Sequence, residues 1–227
     1  MFKIFFQLIL LIYIIFVVYH LINLQKFNIN GIIIECNTNE LFNDNIVKLN
    51  PVCLNQETNF TIHEMKLHYL QDIINYQTNI PSYVFKNEEL YERMKDNFVS
   101  FDEKDLHDSY HNVPIKKSLS IIKGENSIPL KKCIHNHNII GVLEGEAVIY
   151  LFNPKHKDEI INKENHQIKK WGHKKKIQKG DVLIIPPYWS FIQEIEDGII
   201  QYHIDIDNYF TCVPNFLKEF YFEYVDK

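Results

Sequence analysis

From about residue 117 onward the chain is a succession of short β-type runs. They are Ser118 to Ile122, Ile139 to Leu143, Ala147 to Phe152, Asp181 to Ile185, Ser190 to Ile195 and Ile199 to Ile206. Gly, Pro, Asn or Asp bounds each run, and these are the residues that turn a chain. No helical period separates the runs. Strands this short bury their apolar faces by closing on themselves, so the expected class is mainly β, a closed sandwich or barrel. His107 to Pro114 is polar and reads as a loop before this region. Pro214 to Val225 reads as a helix after it, packing Phe216, Phe220 and Tyr224. In Asp205-Ile206-Asp207 the alternation puts two carboxylates on one face of a strand, read here as facing solvent.

The other end of the chain is different. Phe5 to Leu24 is almost unbroken apolar sequence and contains no Asp, Glu, Lys or Arg. A helix of that length matches the ~30 Å hydrocarbon core of a bilayer. A helix serving a soluble core would carry a polar stripe, and this run has none. A cleaved signal peptide would have a shorter apolar stretch and small residues at a cut site, and no Ala-x-Ala-like site is present. The expectation is an uncleaved single-pass anchor. The sparse flanking charges, Lys3 before and Lys26 after, only weakly favour a cytosolic N-terminus.

Between these regions the signals are weaker. Gly31 to Cys36 reads as a short strand, followed by Asn-rich connecting sequence. Thr61-Ile62-His63-Glu64 fits a capping box opening a helix to about Asn75. Ser82 to Phe85 reads as a strand. Glu88 to Phe98 reads as a helix with Leu90, Met94 and Phe98 on one face. Three units follow: an anchor over 1–26, an extension with a short strand and a helix over 27–80, and a β domain over 81–227. Asn59-Phe60-Thr61 is a glycosylation sequon, usable only if the domain faces a lumen or the exterior.

Composition excludes little. The net charge of −5 names no partner, and 46% hydrophobic content fits a globular domain. A single Ala, a single Arg and abundant Ile, Asn and Lys point to an AT-rich genome, such as a large DNA virus or a protist. That bias weakens any argument from Lys richness. The cysteines Cys36, Cys53, Cys133 and Cys212 form no Cys-x-x-Cys pair. Cys36 and Cys53 can bridge in an oxidising compartment, and separate buried thiols are the simpler reading. Lys155 to Lys179 holds nine lysines and three acids. Such a segment can bind the phosphates of anionic lipid or nucleic acid. In this Lys-biased chain it reads first as a solvated loop, and nucleic acid is disfavoured. There is no Gly-x-Ser-x-Gly, no Walker loop and no His-Glu-x-x-His.

Two segments carry a resemblance. The first runs from Asn138 through Gly141 and Gly145 to the strand ending Leu151-Phe152-Asn153-Pro154. The second is Gly180-Asp-Val-Leu-Ile-Ile-Pro-Pro-Tyr-Trp189. With them, the stretch from about Ser82 to Thr211 resembles the JmjC/cupin-like hydroxylases that use iron and 2-oxoglutarate, particularly the asparaginyl-hydroxylase branch. The resemblance implies a double-stranded β-helix, the cupin or jelly-roll barrel, with flanking helices. Family chemistry needs two His and one carboxylate, leaving open positions on iron. At the positions that the resemblance assigns to His-x-Asp, this chain has Lys132 and Ile134. At the distal His it has Phe191, or Ile192 with a one-residue shift, and at the 2-oxoglutarate-binding Lys it has Ala147. None of the four keeps the family's residue type.

Three functional readings follow. One is a membrane-anchored, catalytically inactive cupin-like module for binding or structure, for which the resemblance implies a protein partner or a homodimer through the C-terminal helix. The second is a metal-dependent enzyme with a relocated site for Fe, Zn or Mn on His135, His137 and His203. The third is an adaptor that uses the 155–179 lysines. The first involves no cofactor, no metal ligand and no catalytic residue.

Overall fold

The computed structural model describes residues 2–24, 31–36, 49–56, 83–95, 106, 112–161 and 163–217. Ten strands form two sheets. They are β1 (Ile34–Cys36), β2 (Val52–Asn55), β3 (Tyr83–Asn87), β4 (Asn112–Lys123), β5 (Asn126–Lys132), β6 (His137–Phe152), β7 (His173–Gln178), β8 (Asp181–Ile185), β9 (Ser190–Ile195) and β10 (Gly198–Asn208). The larger sheet has the order β1-β2-β8-β6-β10-β4-β3, and the smaller has β7-β6-β9-β5. All pairings are antiparallel except β1 with β2.

Strand β6 makes this a jelly-roll sandwich. The sequence suggests two runs, Ile139 to Leu143 and Ala147 to Phe152, and they are one continuous strand. Its first half pairs with β8 and β10 in the larger sheet, and its second half with β7 and β9 in the smaller. The strand passes between sheets near Gly145, whose φ of +83° favours glycine. A Cβ there would lie 2.3 Å from the carbonyl oxygen of Gly198.

Both faces of the larger sheet are buried. One looks into the sandwich, where Ile140, Val142, Ala147, Ile149, Leu151, Ile177, Leu183, Ile185, Trp189 and Phe191 cluster. The other carries Leu119, Ile121, Ile139, Tyr202, Ile204 and Ile206. It is covered by Leu90, Tyr91 and Met94 of α2 (Glu88–Met94). A third cluster, Phe152, Ile160, Ile168 and Ile192, lies outside the smaller sheet.

Several sequence expectations need correcting. Asn112 to Pro114 is not loop but the start of β4. β2 arises in sequence expected to be connecting, and it pairs with β8, so residues of the 27–80 stretch are built into the larger sheet. β5 was not expected, because Pro129 interrupts it. The structure accommodates the proline where the register with β9 slips between Ile128 and Lys131. The 155–179 segment is not a solvated loop. It contains α3 (Lys157–Ile160), α4 (Asn165–Ile168) and β7, and it buries Ile160, Ile168 and Ile177. Residues 212–217 are helical as expected, but Phe216 is exposed rather than packed. Cys36 and Cys53 are not joined in a disulfide. Register pairs Cys36 with Leu54 and Cys53 with Glu35, so the two thiols lie on opposite faces. Asn59, Phe98 and the helix expected from Thr61 lie outside the described residues.

Helix α1 (Phe2–Leu24) is 23 residues long, about 35 Å at helical rise. Most of its described apolar side chains are exposed, from Ile4 to Ile22; Tyr13 and Val17 are half-buried, and Tyr13 and Phe16 meet the ring of Phe210 at 6.5 and 5.7 Å. Among the described residues no helix is long and apolar enough to cross a membrane. Within α1 the described side chains run from Lys3 to Tyr19, with Ile22 beyond.

Candidate functional site

The interior of the sandwich is where a jelly roll of this type presents ligands. Strand alternation decides what lines it. On β10 the even residues Tyr202, Ile204 and Ile206 pack under α2, so the odd residues Gln201, His203, Asp205 and Asp207 turn inward. The carboxylates of Asp205 and Asp207 share a face, as the alternation indicates. That face is buried, 8% and 0% exposed, not solvent-facing.

Four features define the interior. The first is a pair of amides linking the two sheets. Gln193 Nε2 of β9 donates to Gln201 Oε1 at 2.7 Å, and Gln201 Nε2 donates back to Gln193 Oε1 at 3.0 Å. The second is His203, whose Nε2 lies 3.0 Å from the same Gln201 Nε2. With the amide in this orientation Nε2 must accept, so the ring proton sits on Nδ1. Burial holds the His203 pKa well below the ordinary histidine range, and the charges of Lys86 and Lys131 add to the effect, so the ring is neutral. Ser118, paired with His203 across β4 and β10, is fully buried, and its Oγ has no hydrogen-bond partner.

The third feature is the position of Phe191. It is 3% exposed and packs in the interior cluster with Leu151, Trp189 and Cys133. The fourth is the strand facing it. Register pairs Phe191 with Lys131, and Lys132 with Ser190. Lys131 therefore shares the Phe191 face, while Lys132 is on the outer face, with Nζ 5.5 Å from the Tyr188 ring centroid. Cys133 is fully buried, and desolvation pushes its thiol up to about 12, so it is not a ready thiolate. Ala147 is buried in the interior opposite Ile177, and Ile134 is half-buried. The residues on the Phe191 face are thus Lys131, whose side chain is exposed, and buried Cys133, one residue earlier than the resemblance assigns.

The three histidines do not converge. His137 pairs with Ile206, which puts it on the outer face of the larger sheet, opposite His203. His135 is 3% exposed, and its Nδ1 lies 2.8 Å from Asp207 Oδ2. Asp207 is four positions beyond His203 on β10, about 13 Å along the strand. Asp207 Oδ1 also accepts from the Asn136 amide at 3.1 Å, Thr211 Oγ1 at 3.2 Å and Asn215 Nδ2 at 2.7 Å. A metal held by all three imidazoles does not fit this arrangement. Neither does an iron held at Lys132, Ile134 and Phe191, because none of these offers a suitable lone pair. Among the described residues no three His, Cys, Asp or Glu side chains group as metal ligands do.

Asp181 caps the turn before β8. Its Oδ2 accepts from the Gln178 amide at 3.0 Å, and its Oδ1 from Asn55 Nδ2 at 2.9 Å. Nearby a groove of about 310 Å³ is lined by Glu35, Cys53, Asn55, Lys175, Lys176 and Asp181. Burial pushes the Cys53 thiol up to about 12, and Lys175 is ion-paired with Glu35. Four of the nine lysines of the 155–179 segment are ion-paired in this way. Lys169 pairs with Glu194, Lys176 with Glu146 at 2.7 Å, and Lys179 with Glu144 at 2.8 Å.

No family model and no curated protein matches the chain. Solved structures similar to it are cupins. A cupin superfamily protein from Desulfitobacterium hafniense is 13% identical, with 56% of this chain and 79% of that one covered, at a TM-score of 0.34. The cupin domain of Drosophila melanogaster CENP-C is 10% identical over 48% and 65%, at 0.31. Oxalate decarboxylase from Bacillus subtilis is 12% identical over 57% of this chain and 26% of that one, at 0.34. Likeness at this level carries no argument about function. The fold class stands on the strand order and register above.

Proposed function

We propose that the chain is a cupin-like module held at a membrane by residues 5–24, related to the JmjC-type hydroxylases but without their iron and 2-oxoglutarate chemistry. The observation that carries this reading is Phe191. Its ring is buried at the position the resemblance assigns to a metal-binding His, and it packs against Leu151, Trp189 and Cys133. An aromatic hydrocarbon there fills space and offers no lone pair. On the same face Lys131 and Cys133 supply a cation and a protonated thiol, and neither attracts a metal ion at neutral pH. What remains is a rigid β scaffold with a polar interior built on Gln193, Gln201 and His203.

Membrane attachment is supported by an uncharged apolar stretch within a 23-residue helix most of whose described apolar side chains are exposed. The full chain is expected to float with vesicles and to resist alkaline extraction. Purified in mild detergent, it is expected to hold less than about a tenth of an equivalent of Fe, Zn or Mn and to leave 2-oxoglutarate unconsumed. Stoichiometric metal that is lost on His135→Ala would replace this reading with the metal-enzyme one.

A further inference from the structure

We propose that the open side of the sandwich, between the edge strands β3 and β5, binds a small organic carboxylate through His203, Ser118, Lys86 and Lys131. This rests on the part of the reading above in which the interior binds rather than catalyses, and not on membrane attachment. Gln193 and Gln201 bridge the two sheets through their paired amides. Two residues further from the β9–β10 turn, Phe191 and His203 face each other across the interior. Gln201 is fully buried and Asp205 is 8% exposed, but His203 between them is only half-buried. An inward residue that stays accessible between two closed ones lies under an opening. Lys86 and Lys131 flank it. Register sets Lys86, on the edge strand of the larger sheet, beside Ser120, and Ser120 beside Gln201. Lys131 stands beside Phe191 on β5, the edge of the smaller sheet. Both lysines are exposed. Burial, and then the charge of Lys131, still hold the Lys86 pKa below the ordinary lysine range, so the two ammonium groups sense each other.

The groups left unspent around this opening are donors. His203 Nε2 accepts from Gln201, which leaves Nδ1–H without a partner among the described residues. Ser118, directly across from His203, is fully buried, and its Oγ has no hydrogen-bond partner among the described residues. A buried hydroxyl left unpaired is costly, and a bound acceptor removes the cost. Cross-strand neighbours lie about 5 Å apart at Cβ, a spacing from which two donors reach the two oxygens of one carboxylate. The other charges nearby are Asp205, on the His203 face, and Lys116 with Glu88, which pair with each other at 3.5 Å. Lys86 and Lys131 set against Asp205 leave one positive charge, which suits a monocarboxylate better than a dianion. The buried Phe191 ring supplies an apolar wall for the body of such a ligand. Neither lysine occupies the position that the resemblance gives the co-substrate lysine. That position is Ala147, buried opposite Ile177 in the smaller sheet.

The test titrates benzoate into the full chain in mild detergent, at fixed ionic strength, by isothermal calorimetry. Benzamide serves as the uncharged isostere and inorganic phosphate as the anion without an apolar body. The inference expects saturable benzoate binding with a Kd of about 1 mM, and benzamide and phosphate at least about tenfold weaker. Ser118→Ala should weaken benzoate about tenfold without lowering the melting temperature, because the hydroxyl holds nothing in the fold. Lys131→Gln should weaken it by a similar factor, and Lys174→Gln, on β7, should leave it unchanged. No saturable benzoate binding overturns the inference. Benzamide or phosphate binding as tightly as benzoate does so too, and so does benzoate binding that neither Ser118→Ala nor Lys131→Gln alters. The metal content of the same samples separates this inference from the reading it rests on. A metal-free chain that ignores benzoate overturns the inference alone. Stoichiometric metal, with benzoate binding lost on chelation, overturns both.

Discussion

His135 and Asp207 are 72 residues apart in sequence and meet at 2.8 Å in a site closed to solvent. Asp207 lies near the end of β10, and His135 lies just before β6, so the contact ties the entry of one central strand to the exit of its neighbour. The same carboxylate holds Thr211 and Asn215, which fix the turn that touches α1. The polar hub thus couples the sandwich to the segment that meets the N-terminal helix.

Removing the acceptor strands several donors at once. Asp207→Ala leaves His135, the Asn136 amide and Asn215 buried without their partner, at a cost of about 3–5 kcal/mol. His135→Ala removes one donor and leaves Asp207 three others, so it should cost about 1–2 kcal/mol. In thermal unfolding of the full chain in mild detergent, the aspartate variant should lose roughly 6–15 °C and the histidine variant less than half of that. The reverse order would mean that the hub is organised around the imidazole.

His203 makes stability depend on pH. Its folded pKa lies below the unfolded value of about 6.5, so the unfolded chain takes up a proton first as pH falls. Stability is therefore flat above about pH 6.5. Below that it falls by up to about 1.4 kcal/mol per pH unit until the folded pKa is reached. His173, also depressed by burial, adds a contribution of the same sign. Denaturation midpoints of wild type and His203→Gln at pH 7.5 and 5.5 check this. The variant should lose most of the acid sensitivity, and an unchanged slope would place its origin elsewhere.

The sandwich was legible where apolar residues alternate or run together, and illegible where a neighbour supplies the pairing. Strand β7, His-Lys-Lys-Lys-Ile-Gln, has a single buried residue, Ile177, and is a strand because β6 offers it an edge. Asp205 and Asp207 were misread because polar residues in alternation are ordinarily assigned to solvent. A sheet buried on both faces reverses that logic, and here the apolar residues go under α2 while the polar ones line the interior. The substitution at Phe191 was visible in the sequence. That Lys131 and Cys133 face it, rather than Lys132 and Ile134, depends on the slip in β5 that Pro129 accompanies, which no periodicity signals.

The amide pair should show strong coupling. Gln193→Leu leaves Gln201 Oε1 without its donor in a buried site while Gln201 Nε2 keeps His203, and Gln201→Leu removes the partner of both amide groups of Gln193 and of His203 Nε2, at about 1–3 kcal/mol each. Replacing both removes the demand of the two amides and leaves only the bond to His203 Nε2 lost, so the double variant should be more stable than the sum of the singles predicts, by about 1 kcal/mol or more. Additive losses in a double-mutant cycle would mean that each glutamine is satisfied independently.

Gly141 and Tyr202 give the last prediction. The two residues are paired across β6 and β10, and the far end of the tyrosine side chain covers the glycine. A Cβ on Gly141 would sit 2.0 Å from Tyr202 Cζ, well inside contact distance, and the ring is 1% exposed with an edge contact to Tyr91. The ring has nowhere to move without opening the core under α2. Gly141→Ala should therefore destabilise by about 2–3 kcal/mol through overpacking. Tyr202→Leu alone should cost about 2–4 kcal/mol through lost volume. Together the two changes relieve each other, because the alanine methyl enters space the ring has vacated. Thermal unfolding of the four chains should show the double variant no less stable than Tyr202→Leu alone. If Gly141→Ala adds its full cost in the Tyr202→Leu background, the glycine is required by the β6 backbone and not by the ring that covers it.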